Sequence, residues 1–235
     1  SMLHLKRKKL LLQFNEYYFF DQELDQITHP GILNVFVQSK SPIDGFRNRS
    51  TQTLLIDLRQ EEEEIFAKIK KGYRYDIRQS DKDDVDLTLK SSPSASDIDD
   101  FCAFYNAFAY GLGIAGANKR KLTSLMEMGA LVFTEVKNCS DTILVRHALI
   151  FDDKRVRLLY SGSLYREMGK EMKSLIGRSN KALHWYELMQ FKSLGKKYYD
   201  FGGISIDGST KNIDKFKFSF GGSKVGEYYG MKICI

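Results

Sequence analysis

The stretch from Gly177 to Gly222 decides our interpretation of this chain. It opens with Gly177-Arg178-Ser179-Asn180 and continues into an apolar segment, residues 181–194, which predicts a helix. A short aromatic strand, Tyr198-Tyr199-Asp200-Phe201, then ends at Gly202-Gly203. After a polar loop comes Phe216-Lys217-Phe218-Ser219-Phe220-Gly221-Gly222. A turn, a helix, a strand that ends in glycines, and a lysine among aromatic residues together indicate a functional site.

The residues before this stretch predict an antiparallel meander. Its strands cover residues 131–136, 143–151 and 156–164, with polar turns between them. The third strand, a helix that begins near Ser179, and the strand at Tyr198 form a βαβ unit. Those two strands should therefore be parallel, with a right-handed crossover.

The first half of the chain adds two predicted helices and short strands. One helix covers residues 61–80, because Ile65, Ile69, Tyr73 and Ile77 recur every four residues. A second helix begins at Ser96 as its cap. The run 111–116 matches GxGxxG, but it follows a helix instead of a strand, so we reject a dinucleotide site there.

These elements predict an α+β fold with a mixed, mostly antiparallel central sheet, flanking helices and one splayed parallel strand pair. We expect residues 1–52 to form an N-terminal extension, in which residues 41–50 are a polar loop. Residues 53–235 should form the main domain.

Composition narrows the class of protein. The 235 residues carry a formal net charge of +6 and contain three cysteines at unrelated spacings. An odd cysteine number argues against a disulfide framework and predicts a reducing, cytoplasmic location. No run approaches the roughly 18 apolar residues of a membrane span. The positive charge suits an anionic ligand or a solvated surface equally well.

The predicted element order is that of the GNAT acyltransferase fold. Tyr199-Asp200-Phe201-Gly202-Gly203, followed by Phe216-Lys217-x-x-Phe220-Gly221, resembles the closing motifs of the FemA/FemB/FemX peptidyltransferases. Leu183-His184-Trp185 and Leu55-Ile56-Asp57-Leu58 add to a likeness that spans roughly residues 53–230. Those enzymes usually carry two such domains, whereas this chain fits one copy plus an extension. It resembles related single-domain proteins of polysaccharide biosynthesis more closely.

The resemblance implies an enzyme that transfers an acyl group from a thioester or an aminoacyl-tRNA ester to an amine. It implies acyl-CoA, for example acetyl-CoA, as co-substrate, and an amine of a cell-envelope or polysaccharide precursor as acceptor. Three basic runs keep tRNA open as a partner: residues 6–9, 119–121 and 196–197. We predict no DNA partner. A non-catalytic binding module with the same fold is the alternative.

The resemblance also implies where the donor binds. In GNAT folds, backbone amides at the start of the crossover helix receive the pyrophosphate of the donor. Here that corner is Gly177, Arg178, Ser179 and Asn180, although the usual Q/R-x-x-G-x-G/A loop is absent. Alternatively, Gly177 and Ser179 only end a loop and cap a helix.

Lys217 matches the lysine of the FKxxFG motif, for which the resemblance implies stabilisation of negative charge during the reaction. A lysine between two phenylalanines should be partly desolvated, which strengthens its electrostatic effect. The alternative is a structural ion pair, for instance with Asp200. Asp200 is either the proton acceptor or that partner. Gly202 and Gly203 would let substrate approach the backbone closely, or they simply end the strand.

Two histidines are further candidates for substrate binding. His184 lies on an almost completely apolar helix, where a hydrogen-bonded core histidine is the more common role. His147 lies in the central meander strand and faces either the cleft or the core. No grouping of histidine, cysteine and carboxylate has zinc spacing, so we predict no metal.

Overall fold

A computed structural model of the chain describes residues 2–9, 12–19, 33–165, 168–208 and 210–233. The strands in chain order are β1 (Leu3–Lys9), β2 (Leu12–Tyr18), β3 (Leu33–Ser39), β4 (Arg47–Asp57), β5 (Val85–Lys90), β6 (Leu131–Asn138), β7 (Ile143–Phe151), β8 (Arg155–Ser163), β9 (Tyr198–Ile204) and β10 (Ser223–Ile233). The helices are α1 (Glu62–Lys68), α2 (Lys71–Ser80), α3 (Ala95–Leu112), α4 (Lys119–Glu127), α5 (Lys170–Ser193) and α6 (Lys211–Phe218).

All ten strands form one sheet in the order β1-β2-β3-β10-β4-β9-β8-β7-β6-β5. Most pairs are antiparallel, and β8 is parallel to β9, which confirms the predicted fold class. A second parallel pair, β2 with β3, was not predicted. The predicted boundary at residue 52 falls inside β4, and β1 to β3 continue the same sheet through β10.

Helices cover both faces of the sheet. Leu188 and Phe191 of α5 pack on one face against Tyr199 and Phe201 of β9. Helices α3 and α4 pack on the other face, where Leu125 joins a cluster that includes Leu3 and Leu5 of β1. No helix in the described ranges is long and apolar enough to cross a membrane. Cys102 and Cys139 are free thiols, and Cys234 lies outside the described residues.

The predicted single helix over residues 61–80 is wrong, because the chain breaks between α1 and α2. Ile69 has extended backbone angles and a buried side chain, and the Lys70 amide donates to the Ser219 carbonyl at 2.8 Å. Gly221, at φ +80°, packs so tightly on Lys68 that an added Cβ would lie 2.5 Å from the Lys68 oxygen. Contact with the α6–β10 connection therefore accompanies the break.

Three other boundaries differ from the predictions. Ser94, not Ser96, caps α3, in a reciprocal capping box with Asp97. Residues 47–50, predicted as loop, extend β4 along β10. The GxGxxG run forms the last turn of α3 and the loop after it, with Gly113 in the left-handed conformation, so it follows a helix as expected.

The helix predicted to begin near Ser179 begins at Lys170, nine residues earlier. The apolar residues Met172, Leu175 and Ile176 of its first turns pack against Val136 and Leu144. This burial stabilises a helix through Gly177 and Ser179, residues that sequence alone treated as a stop and a cap.

Candidate active site

Strands β8 and β9 pair over only three positions and then separate. Arg155, Val156 and Arg157 pair with Tyr198, Tyr199 and Asp200, and no later pair occurs in the described part of either strand. The separation leaves backbone groups at the ends of both strands open to a ligand. Near this point β8 also shifts register against β7, between the partners Leu158 and Tyr160.

The paired glycines lie where the strands separate. Gly202 has φ +80°, which favours glycine, and an added Cβ would lie 3.4 Å from the Leu158 oxygen. Gly202 is buried, whereas Gly203 is exposed and points its carbonyl at Lys217. Their role in substrate binding stays a prediction.

Lys217 lies on α6 beside this gap. Its Nζ donates to the Gly203 carbonyl at 2.6 Å. Burial lowers the pKa of Lys217, and the neighbouring charge of Arg157 lowers it further, against the opposite effect of Asp214 and Asp200. The predicted partial desolvation is therefore present, and it makes this ammonium group a strong electrostatic partner for a developing negative charge.

Asp200 is a fully buried carboxylate with many donors. Oδ2 accepts from Arg155 Nη2 at 2.8 Å, from Gln38 Nε2 at 2.8 Å and from Arg157 Nη1 at 3.2 Å. Oδ1 accepts from the Gly202 amide at 2.7 Å and from Thr53.

These contacts determine the protonation of Asp200. Burial alone would raise its pKa, but Arg157 and Arg155 hold the pKa well below its ordinary value. A carboxylate held this way is a poor base. The prediction of Asp200 as proton acceptor is therefore not supported, and its ion-pair partners are the two arginines instead of Lys217.

Arg157 is a site residue that the sequence reasoning missed. Its guanidinium bonds Asp200 and would lie 3.7 Å from a Cβ on Gly202, so it borders the gap. Its charge also lowers the pKa of Lys121, to about 8, after the larger effect of burial and that of Arg7. The signal in the sequence was Arg155-Val156-Arg157, two arginines on one face of a strand whose intervening valine is buried.

The predicted donor-binding corner is not a helix start. Residues 177–180 lie inside α5, where their amides belong to the helix. Arg178 forms a two-pronged ion pair with Asp83 at 2.8 Å, and Ser179 is fully buried. Asn180 Oδ1 lies 3.0 Å from His147 Nε2. The true start of α5, at Gly169, has no side-chain cap.

Both predicted histidines face the core. His147 Nδ1 lies 2.7 Å from Glu187 Oε1, and His184 Nδ1 lies 3.0 Å from the Tyr199 hydroxyl. That hydroxyl donates to Glu187 Oε2 at 2.5 Å, and Thr134 donates to Oε1. Burial, then the neighbouring His147, lowers the pKa of His184 to about 4. Direct contact of either histidine with substrate is therefore a correction to the prediction, since both are buried.

The same cluster is the metal-ligand grouping that spacing did not reveal. Ligand atoms of His147, His184 and Glu187 lie within 4.8 Å of one another, because β7 and α5 bring together residues distant in sequence. These atoms already hydrogen-bond within the cluster and with Tyr199 and Thr134. We therefore attribute a structural role to the cluster.

Two of the basic runs meet across a groove of about 900 Å³ beside β1, the edge strand of the sheet. Lys6, Arg7 and Lys8 line one side, and Lys119 and Arg120 of α4 line the other. Lys119 pairs with Asp99, whereas no ion pair is found for Lys6, Lys8 or Arg120 within the described ranges. The groove is thus positively charged.

Comparison with known proteins rests on structure alone, since no family model and no curated protein matches the sequence. The crystal structure of FemX has a TM-score of 0.68 at 11% identity and covers 97% of this chain and 83% of its own. The C-terminal domain of a protein assigned as a lysylphosphatidylglycerol synthetase from Agrobacterium fabrum has a TM-score of 0.57 at 11% identity, covering 85% and 67%. L-PGS from Bacillus licheniformis has a TM-score of 0.54 at 12% identity, covering 84% and 67%. The chain therefore has a FemX-like fold of the GNAT type, as its closing motifs predicted.

Proposed function

We propose that this chain is an N-acyltransferase in which a substrate amine attacks an activated acyl donor directly. The observation that carries the proposal is the gap between β8 and β9, bordered by Arg157 and by the partly desolvated Lys217. In this reaction the amine nitrogen bonds to the carbonyl carbon, the bond to the leaving sulfur or oxygen breaks, and the leaving group takes up a proton.

Lys217 would stabilise the oxyanion that forms on the carbonyl oxygen. A preorganised cation in a site with little water is a strong source of such stabilisation. The ion pairs with Asp200 fix Arg157 at the edge of the gap, where it keeps the local potential positive. Asp200 acts by positioning Arg157 and the Gly202 backbone, since it bonds both.

For the donor we propose an acyl-CoA, with its pyrophosphate near the start of α5. The helix N-terminus offers free amides and a favourable dipole for anions. Its position follows from β8, which leads into α5 at the end where the strands separate. Gly169, Lys170 and Lys173 of this first turn replace the corner predicted from sequence.

An aminoacyl-tRNA is the second candidate donor, and the groove between β1 and α4 favours it. Lysine and arginine side chains from two distant segments converge there, which suits the phosphates of RNA. For the acceptor we propose an amine of a cell-envelope or polysaccharide precursor, used in the cytoplasm.

The donor can be tested with thermal shifts and transfer assays run in parallel. Acetyl-CoA and longer acyl-CoA esters should raise the melting temperature, because a ligand of the folded state stabilises it. Lys170→Glu should remove this shift, whereas Lys215→Glu, on the exposed side of α6, should keep it.

If tRNA is the donor, its binding should weaken steeply with salt and with the double change Lys8→Glu and Arg120→Glu. Transfer to amino-sugar nucleotides, detected by mass spectrometry, then identifies the acceptor. Failure of every acyl donor to bind or react, with the fold intact, would leave a non-catalytic binding module as the function.

A further inference from the structure

A cavity of about 320 Å³ lies at the start of β8 and β9, away from the gap between them. Its apolar walls come from Phe19, Leu55, Tyr198 and Val225. Gln38, Arg155 and Glu227 contribute the buried polar part of the lining. The cavity is thus separate from the site proposed for acyl transfer, and nothing in the proposed reaction uses it.

Gln38 gives this cavity an unsatisfied acceptor. The side chain is 2% exposed, and its Nε2 donates to Asp200 Oδ2 at 2.8 Å and to Glu227 Oε2 at 3.1 Å. Because both partners are carboxylates, the amide nitrogen must face them, which fixes the orientation of the amide. Oε1 is then left without a partner among the described residues. A buried acceptor without a donor is uncommon in folded proteins.

The charges around Gln38 are already balanced. Arg155 bonds Asp200 at 2.8 Å and Glu227 at 2.7 Å, and Arg157 also pairs with Asp200. Two arginines therefore face two carboxylates, so a ligand here has no net charge to neutralise. A charged ligand would lose hydration without gaining an unpaired partner.

We propose that this cavity is a second binding site, for a small neutral molecule that carries an N–H donor on a flat apolar body, such as a carboxamide. The donor pairs with Gln38 Oε1, and the body packs on Phe19, Tyr198 and Val225. Through Gln38 the ligand touches a side chain that also bonds Asp200, 2.7 Å from the Gly202 amide.

The test uses benzamide and acetophenone as matched probes on the full chain. The two have nearly the same shape, but a methyl group replaces the amide NH₂ in acetophenone. Carbon-detected methyl shifts of Leu55 and Val225 report binding. Benzamide should bind at least about tenfold more tightly, which is the effect of one hydrogen bond to a buried acceptor.

Val225→Phe provides the blocking variant, because Val225 pairs with Thr53 and shares the face on which Thr53 bonds Asp200. It should abolish benzamide binding, followed through Leu55, while Val85→Phe, at the half-buried start of β5, should not. If Val225→Phe does not fold, Leu55→Phe, followed through Val225, takes its place. Equal binding of both probes, binding by the blocked variant, or no binding by benzamide would each overturn the proposal, the last meaning that the cavity holds only water.

Discussion

Lys217 Nζ donates to the Gly203 carbonyl at 2.6 Å and so joins α6 to the end of β9, just beyond its last pair with β8. The bond holds the ammonium group beside the gap and uses one of its three hydrogens. The remaining hydrogens can approach a ligand in the gap. This geometry makes Lys217 the first residue to test.

Lys217→Ala should lower acyl transfer at least about a hundredfold, in line with the loss of one preorganised oxyanion donor. Lys217→Arg should restore part of the rate, because it keeps the charge but not the geometry. Steady-state kinetics measure both effects, and Lys215→Ala on the exposed side of α6 is the control. A normal rate for Lys217→Ala, with an unchanged melting temperature, would exclude the assigned role.

The same lysine predicts the pH dependence of the rate. Burial and Arg157 lower its pKa, so the ammonium form is lost at a lower pH than for an ordinary lysine. If the charged form stabilises the oxyanion, kcat/KM should fall on the alkaline side, below the usual titration range of lysine. Lys217→Arg should lose this limb, because arginine stays protonated.

Asp200→Asn should destabilise the fold by about 3–5 kcal/mol, since it leaves Arg155 and Arg157 without their shared buried carboxylate. Urea unfolding measures the change. Asp57→Asn removes the exposed pair with Arg59 and should have little effect. Similar stabilities for the two variants would contradict a structural role for Asp200.

Gly221→Ala should cost about 2 kcal/mol or more, because it places a side chain at φ +80° and 2.5 Å from the Lys68 oxygen. Gly72→Ala, in α2 and with open space at its Cβ, should be neutral or slightly stabilising. Thermal unfolding compares the two. A tolerated Gly221→Ala would show that the contact with the α1–α2 break is not tight.

His184 predicts a loss of stability in mild acid. Its pKa is about 4 in the folded state against 6.5 ordinarily, so between these values the unfolded chain binds a proton that the folded chain does not. The free energy of unfolding should therefore fall as pH drops from 6.5 towards 4, by roughly 3 kcal/mol at most. Urea unfolding across this range measures the slope. His184→Gln should reduce it, and His4→Gln should retain it.

Sequence predicted the sheet well where strands are bounded by clear turns. The strands at 131–136, 143–151 and 156–164 appear as β6, β7 and β8, and the parallel β9 follows. The closing motif around Lys217 correctly marked the region beside the gap. The start of α5 could not be read from residues 177–180, because glycine and serine are also tolerated inside a helix whose apolar face is buried.

The buried polar residues were the harder part of the site. Asp200 was recognised, but its partners Gln38 and Thr53 lie about 150 residues away in the chain, and no local pattern connects them. The cluster around Glu187 likewise depends on β7 and α5 meeting. Such contacts follow from the order of strands in the sheet, which turn and helix signals do not specify.

Strand β10 has a consequence for synthesis on the ribosome. It is the last strand along the chain, yet it lies between β3 and β4 in the middle of the sheet. Until it emerges from the exit tunnel, the nascent protein holds two separate half-sheets, each with an open hydrogen-bonding edge. Those edges are sites at which nascent chains aggregate, so we expect this protein to depend on chaperones until translation has passed residue 233.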